Sequence, residues 1–336
     1  MTKHPVALLL IQYRLALFTC LLALCVVLLG AYVRLSDAGL GCPDWPGCYG
    51  QMIVPSDASQ IASPANRPLD QAKAWKEMTH RYLAGGLGLF ILILALLAWT
   101  NRSAPRQPLL LPSLLLILVA FQALLGMWTV TLLVKPAIVT AHLLGGFATF
   151  VLLGLLALKL RPDAPLHTLD ASPSLRRWIR FSVLILILQI SLGGWTSTNY
   201  AALGCTEFPA CYAGRWWPAM DFREAFVIWR GLGVNYEFGV LEPEARTAIH
   251  MSHRLGALLT VGVLGGLAWR LLRRKPGDTL RNLGYLLTLM LTVQVVLGIS
   301  NVLGHLPISV AVAHNGGAAV LLMILVTLIW VSQRRE

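Results

Sequence analysis

Eight apolar runs, each near the roughly twenty residues that a helix needs to cross a bilayer's hydrocarbon layer, leave this chain lipid as the solvent for most of its length. Windows of that size place spans near 15–33, 79–99, 109–133, 138–159, 178–198, 249–269, 283–303 and 308–331. Of 336 residues, 57% are hydrophobic and only 12% charged, more apolar surface than a water-soluble core can hide. The expected fold is therefore all-α and polytopic, and a soluble enzyme is excluded. An even number of spans returns the chain to its starting side.

The formal charge of +12 would suggest nucleic acid in a soluble protein, so the location of the charge matters. Sixteen basic residues fall on the side of the termini: Lys3, Arg14, Arg102, Arg106, Lys159, Arg161, Arg176, Arg177, Arg180, Arg270, Arg273, Arg274, Lys275, Arg281, Arg334 and Arg335. Four acids accompany them, whereas the other side holds eleven residues of each sign. The whole excess lies on one face, which the positive-inside rule makes cytoplasmic, and no nucleic acid is needed to explain it. The first run has basic residues before it, as a signal peptide does. Arg34 and Gly39-Leu40-Gly41-Cys42 follow it where a small-residue cleavage site would stand, so it is read as a retained helix.

Laid on itself, the chain repeats. Gly30-Ala31-Tyr32-Val33 leads to Leu40-Gly41-Cys42 and Cys48-Tyr49 as Gly193-Gly194-Trp195-Thr196 leads to Leu203-Gly204-Cys205 and Cys211-Tyr212. Glu77-Met78-Thr79-His80-Arg81 answers to His250-Met251-Ser252-His253-Arg254. Gln122 through Gly126 answers to Gln294 through Gly298, and Ala141-His142 to Ala313-His314. Agreement at residues this rare in an apolar chain points to duplication. The expectation is two tandem pseudo-symmetric four-helix bundles: 1–160, a cytoplasmic linker 161–177, and 178–336, with long outer loops near 34–77 and 199–248.

The loop cysteines face an oxidising side, and five intervening residues containing Pro or Gly make a short closable loop, so Cys42–Cys48 and Cys205–Cys211 are expected disulfides. They serve either as redox-active pairs or as loop staples; zinc is a weaker third option. Cys20 and Cys25 lie inside the first span and are expected to pack.

Four histidines recur, His80, His142, His253 and His314, each near the outer end of an even-numbered span and so at a common depth. Ionisable groups inside a membrane are costly and suggest function. Two imidazoles on facing helices of one bundle are what axial ligation of haem iron needs. Gly145, Gly146, Gly316, Gly317, Gly85 and Gly86 would allow close approach of helices or of a flat macrocycle, although glycine is common in membrane helices. Arg81 and Arg254 either pair with haem propionates or snorkel to headgroups. Metal transport would need a polar path through both leaflets, and the cytoplasmic half offers none. The halves differ where Glu77 stands three residues before His80 and His250 before His253. Glu77 reads either as a proton relay or charge stabiliser beside a ligand, or as a helix-end charge. His250 reads as a group behind the ligands, His305 as exposed, and His4 and His167 as solvated.

With Glu77-x-x-His80-Arg81, His142, His253-Arg254, His314 and both cysteine pairs in order on an eight-span repeat, the sequence resembles the haem A synthase family over nearly its whole length. The resemblance implies a bacterial inner-membrane enzyme that oxidises the C8 methyl of haem O to a formyl group through a hydroxymethyl stage and a gem-diol that loses water. It implies haem b held by His253 and His314, haem O received by His80 and His142, and Glu77 as the catalytic group. Haem O synthase, the protohaem farnesyltransferase, and an unidentified electron donor are the implied partners. The rival reading is a dihaem b-type electron-transfer cytochrome, for which four histidines suffice and Glu77 is incidental.

Overall fold

The computed structural model describes residues 4–57, 67–105, 107–162 and 171–333, with residues 4–7 described as backbone only. Lys3, Arg106, His167, Arg334, Arg335, residues 163–170 of the expected linker and the side chain of His4 lie outside the described residues. The described chain is helical: α1 (His4–Leu35), α2 (Gln71–Thr100), α3 (Leu110–Thr131), α4 (Pro136–Leu160), α5 (Pro173–Thr198), α6 (Phe222–Ala225), α7 (Pro243–Leu272), α8 (Thr279–Leu303) and α9 (Ile308–Ser332). All but the single-turn α6 are long and apolar enough to cross a membrane, which gives the eight expected spans.

The helix starts follow local chemistry. Asp70, Ser172 and Asp278 accept backbone N–H bonds from Lys73, Leu175 and Leu280, and Pro136, Pro173 and Pro243 open helices where a missing N–H costs nothing. These caps carry α2 and α7 outward beyond the expected apolar windows, which began at 79 and 249. Many apolar side chains, such as Leu110, Ile117 and Leu258, remain exposed on helix faces, as lipid contact requires.

The chain divides into two compact units, 1–164 with 228–240, and 165–227 with 241–336. In the first, α1 packs on α2 and α4, and α3 on α2 and α4, making a ring of four; among the described residues the diagonal helices α2 and α4 do not pack together. In the second, α5 packs on α7 and α9, and α8 on α7 and α9, so that α7 and α9 are the diagonal pair. α6 rests on α7.

Residues 228–240 follow α6 in the chain yet belong to the first unit. Tyr236 donates its backbone N–H to Leu133 O at 3.1 Å and is buried with Leu40, Val130 and Val134. Arg67 forks onto Glu237 at 3.0 and 2.5 Å and also donates to Leu40 O at 3.1 Å. The bonds to the Glu237 carboxylate hold the Arg67 guanidinium above its ordinary pKa. Buried Lys135 donates to Arg230 O at 2.5 Å and Gly231 O at 3.2 Å, with its ammonium 3.6 Å from the centre of the Trp229 ring. Lys135→Met removes both bonds and the cation–π contact, worth roughly 2 kcal/mol together. Limited trypsinolysis should then cut at Arg230 several-fold faster; an unchanged rate would mean that Lys135 does not hold the strap.

Candidate functional site

The outward extensions of α2 and α7 position the first residues of interest. Glu77 and His250 are both buried on them, and each meets the backbone of the adjacent cysteine loop. Cys42 N–H donates to Glu77 Oε2 at 2.9 Å, and Cys205 N lies 3.1 Å from His250 Nδ1. The arginine four residues on joins both arrangements. Arg81 Nη2 donates to Glu77 Oε1 at 2.6 Å while Nη1 reaches Pro46 O at 3.2 Å and Gly47 O. Arg254 donates to Ala210 O at 2.9 Å and Glu207 O at 2.7 Å, with its Nε 3.2 Å from His250 Nε2. A carboxylate can accept from both neighbours at once, but a neutral imidazole has one acceptor nitrogen and serves one donor at a time. The two halves thus share a strut, and only the Glu77 version has both of its bonds simultaneously.

Both expected disulfides are present, Cys42–Cys48 and Cys205–Cys211, with Cα–Cα separations of 4.8 and 4.3 Å and all four residues fully buried. The bonds occupy the thiolates that zinc would require. The repeated Gly-Cys dipeptide has a steric reason. A Cβ on Gly41 would lie 2.6 Å from the Lys73 carbonyl carbon, and one on Gly204 2.6 Å from Arg246 O. Gly41→Ala therefore has to move backbone, at a cost of about 1–3 kcal/mol. Thermal denaturation in detergent should show a lowered midpoint, and an unchanged one would mean that the loop lifts freely from α2.

The four histidines sit on the diagonal helices, His80 on α2 and His142 on α4, His253 on α7 and His314 on α9. Every ring lies over a glycine of a neighbouring helix. A Cβ at Gly30, Gly193 or Gly298 would come within 3.0, 3.1 and 3.1 Å of Cε1 of His80, His253 and His314, and one at Gly126 within 3.6 Å of His142 Cε1. These four glycines mark the repeat in sequence, but their role as ring seats depends on helix pairing, which residue spacing does not carry. The same holds for the glutamines one turn before them. Gln189 and Gln294 donate to the backbone carbonyls of His253 and His314 at 3.0 and 2.8 Å.

The other expected residues sort themselves plainly. Gly145 and Gly317 face Gln122 and Gln294, whereas Gly85 and Gly86 have open space where a side chain would be. His305 is exposed in a left-handed turn conformation between α8 and α9. Cys20 reaches Phe150 O at 3.6 Å, and Cys25 is exposed.

The guest that these residues fit can be tested from its ligand needs. Among the described residues no group of three or more His, Cys, Asp or Glu is placed to hold a bare metal ion. Two imidazoles from diagonal helices supply only two ligands, so the guest must bring the rest, as a metal macrocycle does. Buried Nδ1 of His80 has no hydrogen-bond partner among the described residues, which is costly for a ring with no further task. The residues fit haem.

Fold and site together define a class: polytopic helical membrane proteins with a histidine pair across each helix ring and a disulfide loop at its mouth. The family profile for cytochrome oxidase assembly proteins matches residues 13–326, and the chain belongs to that family. A protein of Shewanella oneidensis named "Heme A synthase" is 46% identical over 92% of this chain and 93% of its own length. Proteins of the same name from Mesorhizobium japonicum and Halalkalibacterium halodurans are 29% and 26% identical, over 88% and 93% of this chain and 84% and 93% of theirs.

Proposed function

We propose that this chain is an oxidoreductase that converts haem O to haem A by two successive hydroxylations of the C8 methyl. The observation carrying this reading is a change of chemistry at a matched position of the repeat, the carboxylate of Glu77 where the other half has His250. An electron-transfer protein with two equivalent haems has no use for that change.

In this reading His253 and His314 hold haem b as resident cofactor, and His80 and His142 receive haem O as substrate. When bound, iron supplies the oxidising power that breaking a methyl C–H bond demands. The chain's own residues orient, exclude water and manage charge. Glu77 Oε1 and Oε2 are fixed by Arg81 and Cys42 N–H one helical turn from His80. There the carboxylate takes up a proton or stabilises positive charge developing on the substrate. Arg81 and Arg254 lie against the loop carbonyls, where a propionate would gain a charge-assisted bond. The disulfides close the loops over the mouths of the rings.

Charge bias supports an orientation with the loops and histidines toward the periplasm of a bacterial inner membrane and both termini cytoplasmic. A farnesylated haem suits direct transfer from haem O synthase, with a separate electron donor completing the turnover. The experiment is expression in a host that makes haem O but has no haem A synthase, followed by chromatography and mass spectrometry of extracted haems. Haem A or its hydroxymethyl precursor is the expected result. Two unmodified b-type haems, despite available haem O and reductant, would transfer the proposal to an electron-transfer cytochrome.

A further inference from the structure

The four histidine sites are built on one plan, and one of them is incomplete. On the glycine-bearing helix a glutamine stands four residues before the seat: Gln122 before Gly126, Gln189 before Gly193, Gln294 before Gly298. On the histidine-bearing helix a glycine stands three residues after the ligand: Gly145, Gly256 and Gly317. A Cβ at any of these three would collide with the glutamine amide, so the amide lies in the notch that the glycine leaves. At the fourth site both features are missing. Val26 holds the glutamine position before Gly30, and Leu83 the notch position after His80.

Two of the three amides bond their histidines, and Gln122 is placed by its Gly145 notch alone. Gln189 Nε2 bonds His253 O at 3.0 Å and lies 3.1 Å from His253 Nδ1, and Gln294 Nε2 bonds His314 O at 2.8 Å. Each clamp also keeps unused capacity. Gln189 Oε1, Gln294 Oε1 and Gln122 Nε2 are buried without a hydrogen-bond partner among the described residues. An imidazole that ligates through Nε2 carries its proton on Nδ1 and needs an acceptor there. Turning the amide oxygen into that role gives up the bond to the histidine carbonyl, so the amide holds either the backbone or the ring. His80 Nδ1 is also buried without a partner, but its site has no glutamine.

We propose that Gln122, Gln189 and Gln294 are positioning residues that fix the imidazoles of His142, His253 and His314, and that unclamped His80 is the ligand that releases when haem exchanges. This rests on the haem reading above and deepens it. The second unit, with both ligands clamped, retains its haem as a cofactor. The first unit holds one ligand and frees the other, so a substrate can enter and a product leave.

The test uses the full-length protein purified with its haems, and follows haem loss to excess apomyoglobin. The wild type should release haem in two phases, fast from the first unit and slow from the second. Gln189→Leu and Gln294→Leu should speed the slow phase roughly ten- to hundred-fold, the usual cost of removing a hydrogen bond behind a metal-bound imidazole. Gln294→Glu keeps an acceptor and adds charge, so it should retain haem and lower its midpoint potential, which a merely structural role would not do. Val26→Gln with Leu83→Gly, which completes the fourth clamp, should slow the fast phase alone. Unchanged release and low-spin electron paramagnetic resonance in the leucine variants, or an unchanged fast phase in the completed clamp, would overturn the inference. A wild type without any bis-imidazole haem signal would instead overturn the haem reading beneath it.

Discussion

Glu77→His leaves the protein folded and loaded with haem but lowers formyl product by about 10²–10⁴-fold, the range expected when a positioned acid–base group is lost. The substitution is informative because the protein already contains its outcome. In the second unit His250 occupies the matching position beside Cys205 N–H and Arg254. A histidine at 77 therefore keeps an acceptor for Cys42 N–H or a partner for Arg81, and the loop stays seated. Glu77→Ala is the harsher variant, since it leaves Arg81 without a carboxylate, on the carbonyls of Pro46 and Gly47 and the Met78 thioether, and loosens the loop as well. Loss of product in both, with haem retained in the histidine variant, separates chemistry from scaffolding. Haem A formed at the wild-type rate by Glu77→His would show that no carboxylate is needed there.

His314→Met should abolish the bis-imidazole signature of the second unit, and product formation with it. The ring of His314 lies over Gly298, and its backbone is held by Gln294. A thioether in that place either ligates or does not. If it ligates, the haem remains with a raised midpoint potential, as histidine–methionine pairs have. If it does not, one clamped histidine is left and the haem dissociates. Electron paramagnetic resonance with redox titration distinguishes these outcomes, and both differ from wild type. An unaltered low-spin spectrum would mean that the second axial ligand is elsewhere.

The spans and the histidine pattern were legible because both rest on local spacing. Apolar windows located all eight spanning helices to within a few residues at most ends, and the repeat paired His80 with His253 and His142 with His314 before any geometry was known. The windows failed where hydropathy and helicity part company. α2 and α7 run on through polar residues from Gln71 and Pro243 because capping, not apolarity, sets their starts. Glu77 stands in that extension, so its helical setting was visible but its two partners were not. Cys42 N–H is 35 residues away in sequence, and a backbone donor leaves no residue-type signal. The clamp was half visible: Gln122 and Gln294 marked the repeat, yet the notch glycines looked like ordinary membrane-helix glycines until the helices were paired. The strap at 228–240 is legible only as part of a long loop, because its anchors, Arg67, Leu133 and Lys135, come from the other half of the sequence.

That strap also orders events at the ribosome. The first helix ring, complete in spans by residue 160, still lacks Tyr236 over Leu40, Val130 and Val134, and Lys135 has neither of its carbonyl acceptors. Translation from residue 164 to residue 240 takes roughly 4–15 s at about 5–20 residues per second. For that interval the nascent ring is inserted but not sealed, with a buried lysine and an apolar patch uncovered. Assembly factors that shield such surfaces would meet the protein in this window, and a chain truncated after the fourth span would remain in it permanently.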